Sequence, residues 1–253
     1  MFLALIIAIV IAEFAVLKKA LTRDGAIAAI LIGTSILSAG WQAGCILLFF
    51  FVSCSIFSKT ANKYSSSEKS HARDQVQVLA NGFIPAVYAI LYLNQKDPVW
   101  LIGFLSAMAA ATADTWATEI GSLSKGKPFH ITSFSRVEKG RSGAISFAGT
   151  CASVIAAAII SFLANYLFNL GLNELRIITI AGIAGSFIDT FLGATVQDLK
   201  RCPVCNEFTE DKMHCHTKAN HFKGLKFMTN DMVNFLSILS ASILAMILYK
   251  NIG

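Results

Sequence analysis

The chain reads as an all-α, polytopic transmembrane helix bundle of about eight spans, forming a single integral membrane domain over residues 1–253. Three observations predict this. Of the 253 residues, 55% are hydrophobic and only 14% charged, the balance of a chain solvated by lipid. Apolar runs long enough for helices recur along its length, and lipid leaves backbone groups no partner except their own helix. Finally, eighteen of the 21 Lys and Arg residues fall in every second gap between those runs.

The runs are Phe2 to Leu17, Ala26 to Ala39, Trp41 to Phe57, Val76 to Leu93, Pro98 to Trp116, Gly143 to Phe168, Ile177 to Thr195 and Met232 to Leu248. No cationic segment precedes the first run and its positive charges follow it, the pattern of a retained helix and not of a cleaved signal peptide. The second and third runs are short for a full crossing, since about fourteen residues cover roughly 21 Å of a roughly 30 Å hydrocarbon layer. They read either as two crossings or as a re-entrant hairpin. In the fourth run, Pro85 predicts a kink, and Asn81 and Gly82 beside it fit either an interior cavity or helix packing.

Lys18, Lys19 and Arg23 follow the first run, and Lys59, Lys63, Lys69 and Arg73 follow the third. Lys125, Lys127, Arg136, Lys139 and Arg141 follow the fifth, and six cations follow the seventh, whereas Lys96 and Arg176 stand alone in their gaps. By the positive-inside rule both termini are outside, and the loops near 117–142 and 196–230 are cytoplasmic. The net charge of +6 is thereby assigned to topology and to the anionic lipid of the inner leaflet, not to a nucleic-acid partner.

Acidic residues in or beside the spans are the first candidates for function, because a carboxylate in hydrocarbon is costly and marks an ion or substrate site. They are Glu13, Asp114, Asp189 and Asp231. Glu13, close to Lys18, fits an interfacial ion pair. Gly182, Ser186, Asp189 and Gly193 recur at helical spacing, as do Asn230, Asn234 and Ser237, and such small, polar stripes face other helices. In Ala113-Asp114-Thr115-Trp116-Ala117-Thr118-Glu119-Ile120-Gly121, Asp114 and Thr118 share a helical face. Glu119 lies about 140° round unless the helix ends at Gly121. Trp116 reads as an interfacial anchor. Oxygen ligands of this kind suit Mg²⁺, which is held by one or two carboxylates together with substrate phosphates.

The next gap, Lys125-Gly126-Lys127-Pro128 and then Ser135-Arg136-Val137-Glu138-Lys139-Gly140-Arg141-Ser142-Gly143, mixes cations, hydroxyls and glycines before a helix. Polyphosphate binding requires that mixture: helix-terminal N–H groups, close backbone approach and Arg or Lys to neutralise the oxygens. It is not a Walker loop, since G-x-x-x-x-G-K-[ST] does not occur.

With A-D-T-W-A-T-E-I-G, the basic glycine-containing loop, G-S-F-I-D-T-F-L-G-A-T-V-Q and N-D-M-V-N-F-L-S in order, the chain resembles the integral membrane family termed domain of unknown function 92. The resemblance covers nearly the whole chain. Its characterised branch, the phytyl phosphate kinases, implies transfer of a phosphate from a nucleoside triphosphate, CTP among the donors, to an isoprenoid monophosphate. On that reading Asp114 and Asp231 bind Mg²⁺, and Asp189 is a third metal contact or orients the acceptor. Arg136, Lys139, Gly140, Arg141 and Ser142 hold donor phosphates, while Glu119, Asn230 and Asn234 supply supporting or nucleotide contacts. Phosphoryl transfer needs charge neutralisation and alignment more than covalent catalysis, so these groups suffice. The same residues also fit a membrane cytidylyltransferase. An ion-coupled transporter or lipid-handling protein is the rival from another class, although a transporter site would sit nearer the midplane and use a repeat, and no repeat is evident. A third rival is a membrane scaffold whose cytoplasmic metal loop recruits a partner.

The last cationic gap contains Cys202-Pro203-Val204-Cys205 and, further on, His214-Cys215-His216 and His221. Three thiolates plus His216 or His221 suit a structural, tetrahedral Zn²⁺, and reduced thiols suit a cytoplasmic loop. A redox pair and unliganded thiols are the alternatives. Cys45, Cys54 and Cys151 lie in apolar runs and read as small hydrophobes. The charge pattern predicts that impermeant thiol or amine reagents reach tags at both termini from outside intact cells, and reach Lys139 only after permeabilisation.

Overall fold

A computed structural model describes residues 1–63 and 72–252. Lys69, one of the cations counted above, lies outside the described residues. Eight helices run through them: α1 (Phe2–Leu17), α2 (Arg23–Ala39), α3 (Trp41–Lys63), α4 (Gln75–Gln95), α5 (Pro98–Leu123), α6 (Phe147–Phe168), α7 (Leu172–Thr195) and α8 (Asn230–Ile252). The helices α3 to α8 are all long and apolar enough to cross a membrane; the chain is a polytopic helical membrane protein. The shortness expected of the third span is corrected, because α3 continues six residues past Phe57.

Polar residues bound the helices where apolar runs alone mark them less sharply. The Thr22 hydroxyl accepts from Gly25 N at 3.1 Å, Asp74 and Gln77 form a capping box, and Asp97 precedes Pro98 at the start of α5, each satisfying N–H groups a helix start leaves orphaned. The sixth span starts later than expected. Gly143 sits at φ +79° with its Cα against Ala194, where a Cβ would lie 2.4 Å from the Ala194 Cβ. Ala144–Ile145 then form strand β2, antiparallel to β1 (Phe129–His130), and Ser146 caps α6. After α7, strand β3 (Leu199–Arg201) lies between β4 (Phe208–Thr209) and β7 (Asn220–Lys223), beside a hairpin of β5 (Met213–His214) and β6 (Thr217–Lys218).

Helix α5 is the axis of the bundle, packing against α3, α4, α6, α7 and α8. Its segment Ser106-Ala107-Met108-Ala109-Ala110-Ala111-Thr112-Ala113 is buried throughout, and small side chains let neighbouring backbones close in, as lipid-embedded packing requires. Gly185 of α7 meets Ala110 and Ala241; Gly149 of α6 meets the Ala117 carbonyl and Gly121. Gly121 therefore does not end α5, which runs on to Leu123: the missing side chain admits α6 instead. Trp116 likewise is no interfacial anchor. It is buried, donates from Nε1 to Ser53 Oγ at 3.2 Å and packs edge-on against Phe57, so it ties α5 to α3. Gly82 packs on Ile32 of α2, which makes it a packing position. Large apolar side chains such as Val10, Leu31, Ile155, Phe162 and Ile180 remain exposed on the outer surface, the surface lipid solvates.

The connectors after α1, α3, α5 and α7 gather at one end. Arg73 and Leu21 pair their main chains, Lys59 Nζ donates to Lys18 O at 3.1 Å, and Ser58 near the end of α3 donates to Glu119 near the end of α5. A Gly149→Val substitution puts a Cβ 2.7 Å from the Ala117 carbonyl oxygen. Overpacking of this kind costs about 1–3 kcal/mol, so the variant should unfold at lower temperature in detergent, whereas Ile155→Leu on the exposed face of the same helix should match the parent.

Candidate functional site

A cavity of about 240 Å³ opens at that connector end, where α5 and α7 finish and α6 and α8 begin. One wall is the α5 stripe of Asp114, Ala117, Thr118 and Gly121, which the helical repeat places on a single face. Opposite stand Ser186, Asp189, Thr190 and Gly193 of α7. The first turns of α6 contribute Ser146, Gly149, Thr150 and Ser153, and the loop before it contributes Lys139, Gly140, Arg141 and Ser142. The cavity thus joins the two acidic spans to the basic loop.

The Asp114 and Asp189 carboxyls meet within hydrogen-bonding reach. Repulsion between carboxylates at such range is relieved by a shared proton or by a cation between them. Helix α8 supports the pair from behind. Ser237 Oγ donates to Asp189 Oδ1 at 3.3 Å, and the Asn234 amide, with its nitrogen turned to the carboxyl, donates to the same oxygen at 2.9 Å and to Asn230 O at 3.3 Å. Asn234 is therefore an orienter of Asp189, and Asn230 reaches the cavity wall itself.

Three expected site residues do not join this group. Asp231 is not among the described residues lining the cavity. It follows Asn230 on α8, and a helix turns consecutive side chains about 100° apart, so Asp231 faces aside from Asn230, within electrostatic range of Asp74 at the start of α4 and of Glu210 at the cavity wall. The carboxylate that accompanies Asp114 is Asp189, not Asp231. Glu119 accepts from Ser58 of α3 because α5 stays helical past it and turns it away from Asp114. The exposed Arg136 pairs with Phe129 and holds its guanidinium 5.5 Å from that ring's centre, outside the cavity. Glu13 is exposed on α1 and equally remote.

The remaining loop cations carry the positive field. Gly140 at φ +78° turns the chain between Lys139 and Arg141, and the Arg141 guanidinium lies 5.3 Å from the Phe208 ring centre. Arg141 Nε and Gln197 Nε2 are buried donors without a protein acceptor among the described residues, and both belong to cavity-lining residues. Burial, reinforced by Arg141 and Lys223, pushes the nearby His130 imidazole below its usual range. Two wall residues gave no usable signal as separate candidates: Gln197, visible only within G-A-T-V-Q, and Glu210, which arrives from a distant loop and accepts from Ser142.

That loop also brings Cys202, Cys205, His214 and Cys215 together, their ligand atoms all within 4.8 Å of one another. The histidine is His214, and not His216 or His221 as expected. His221 is held by Asp198, Nδ1 to Oδ1 at 2.8 Å, and His216 lies outside the cluster in a positive-φ turn. Asp198 also takes Lys200 Nζ at 2.7 Å. Burial pushes its carboxyl up, but the hydrogen bonds from Lys200 and His221 outweigh that and hold it below the usual carboxylate range. A depressed folded value gives stabilisation that is complete above the unfolded carboxylate value, about 3.9, and is lost as pH falls through the folded one. Asp198→Asn should therefore speed amide exchange in residues 199–223 at pH 7, and the difference from the parent should shrink as pH falls below about 4.

The family model for integral membrane protein DUF92 matches residues 6–242. Among similar proteins, the uncharacterized membrane protein MJ0933 of Methanocaldococcus jannaschii is 35% identical over 201 residues, 77% of this chain and 82% of that one. Protein PGR of Arabidopsis thaliana is 30% identical over 274 residues, spanning 96% of this chain and 94% of its own. The chloroplastic Protein VTE6 of Arabidopsis thaliana is 24% identical over 246 residues, 92% of this chain and 67% of its own. No solved structure matches. With the family pattern running through all eight helices, including both acidic spans and the basic loop, the chain belongs to the DUF92 family of integral membrane proteins.

Proposed function

We propose that the protein is a membrane phosphotransferase that moves a phosphate from a nucleoside triphosphate, with CTP a favoured donor, to an isoprenoid monophosphate at the cytoplasmic face. The observation that carries this reading is the one cavity that the Asp114–Asp189 pair, the Lys139–Ser142 loop and the start of α6 line together. Carboxyl oxygens this close suit one Mg²⁺, which keeps further positions for phosphate oxygens and water. Asp114 and Asp189 would hold the ion, which would supply neutralisation of the charge on the transferring phosphate.

The residues of the chain divide the remaining work. Lys139 and Arg141 neutralise donor oxygens, the positive end of the α6 dipole lies at the cavity wall by Ser146 and Gly149, and Ser237 and Asn234 fix the orientation of Asp189. Phe187 lines the cavity and is also exposed on the outer surface of α7, so it offers an apolar edge along which a prenyl tail enters from the bilayer. The family resemblance of the four sequence motifs supports a prenyl phosphate acceptor. The depth of the cavity, at the connector end and not at mid-span, favours surface chemistry over transport.

The test is turnover by detergent-purified protein with Mg²⁺, γ-labelled nucleoside triphosphates and a panel of prenyl monophosphates. Label should pass to the lipid with release of nucleoside diphosphate. Asp114→Asn and Asp189→Asn should each lower kcat by about 10² or more, Lys139→Ala and Arg141→Ala should raise KM for the nucleotide, and Arg136→Ala should leave both unchanged. Pyrophosphate release with the nucleotide retained on lipid would make the enzyme a cytidylyltransferase, and no turnover with any acceptor would refute the reading.

A further inference from the structure

We infer that Cys202, Cys205, His214 and Cys215 hold a structural Zn²⁺ that braces the wall of the cavity from outside the membrane core. The four ligands come from two neighbouring hairpins. Cys202 and Cys205 belong to the turn between β3 and β4, while His214 ends β5 and Cys215 opens the turn that follows it. His214 Nδ1 lies 3.5 Å from Cys205 Sγ and 3.4 Å from Cys215 Sγ. In a tetrahedron with Zn–S of about 2.3 Å and Zn–N of about 2.0 Å, the S···N edge is about 3.5 Å.

Backbone geometry supports the same assignment. Val204 N–H donates to Cys202 Sγ at 3.4 Å, the arrangement in which a tight turn stabilises a thiolate ligand. Asn206 at φ +62° and Cys215 at φ +49° close the two turns. All three cysteines are free thiols. Three sulfurs and one nitrogen complete a four-coordinate shell, which makes the site structural.

The site connects to the cavity through the hairpin it closes. Phe208 of β4 lies under the Arg141 guanidinium, and Glu210, just beyond β4, accepts from Ser142 and lines the cavity. Lys200 Nζ, on the paired strand, donates to Glu210 O at 2.9 Å. Zinc thus pins the turns that flank the two residues touching Arg141 and Ser142. Without it, a hairpin of two- and three-residue strands has little apolar burial of its own to hold that position.

Metal content tests the site independently of any turnover, so it stands or falls apart from the phosphotransferase reading. Full-length protein purified in detergent without chelator should contain about one zinc per chain, with an X-ray absorption signature of three sulfurs and one nitrogen. His214→Ala and Cys215→Ser should lose most of that zinc, while His216→Ala and His221→Ala should retain it. Should the ligand variants fail to fold, zinc stripped from the parent by a chelator serves instead: amide exchange at residues 139–142 and 199–215 should rise about tenfold or more and recover on adding zinc, with α5 and α7 unaffected. Parent protein without zinc, zinc retained by Cys215→Ser, or a Cys202–Cys205 disulfide would overturn the site. Zinc present with no change at residues 139–142 on stripping would overturn the brace.

Discussion

Close approach of helix backbones to α5 is the constraint from which the rest of the structure follows. In lipid no solvent-driven collapse pulls helices together, so contact between small residues has to do it. The alanine-rich middle of α5 lets α6, α7 and α8 come in around it, and Gly149, Gly182 and Gly185 let them come close. Because α5 and α7 are held side by side, Asp114 and Asp189 meet at one level. Because α6 begins against Gly121 and Ala117, its first turn faces the same carboxyls. The chemistry of the cavity is thus a by-product of where the backbones can touch.

The charged groups of the cavity have two origins. The paired carboxyls of Asp114 and Asp189 come from within spans, where the bundle encloses them, whereas Lys139, Arg141 and Glu210 come from connectors, where long side chains are cheaply solvated. The two sets meet where Gly143 lies flat on Ala194, which lets the loop come down onto the end of α7. A substitution there would move cations away from carboxyls without touching either.

Much of this was legible from the chain. Helix number and order follow from apolar runs, and the pairing of connectors at one end agrees with the alternation of cations, since Leu21 meets Arg73 and Ser58 meets Glu119. The stripes through Asp114 and Asp189 were readable because helical period is a local property. What periodicity could not supply was rotation relative to neighbours. Asp231 and Asn230 are adjacent letters, and only the setting of α8 decides which of them enters the cavity. Gly121 has two uses, ending a helix or admitting another, and the choice depends on Gly149, nearly thirty residues away. His214, His216 and His221 are equivalent by spacing; Asp198 removes one of them by a contact between strands that no spacing rule contains.

The main-chain pairing of Leu21 with Arg73 joins positions 52 residues apart in sequence. Arg73 N donates to Ala20 O and Thr22 N to Arg73 O, at 3.0 Å each, so the turn between the first two helices completes its hydrogen bonds only with the connector before α4. During synthesis that turn leaves the ribosome well before its partner. The turn of the first hairpin therefore stays unfinished until the connector before the fourth helix has been made.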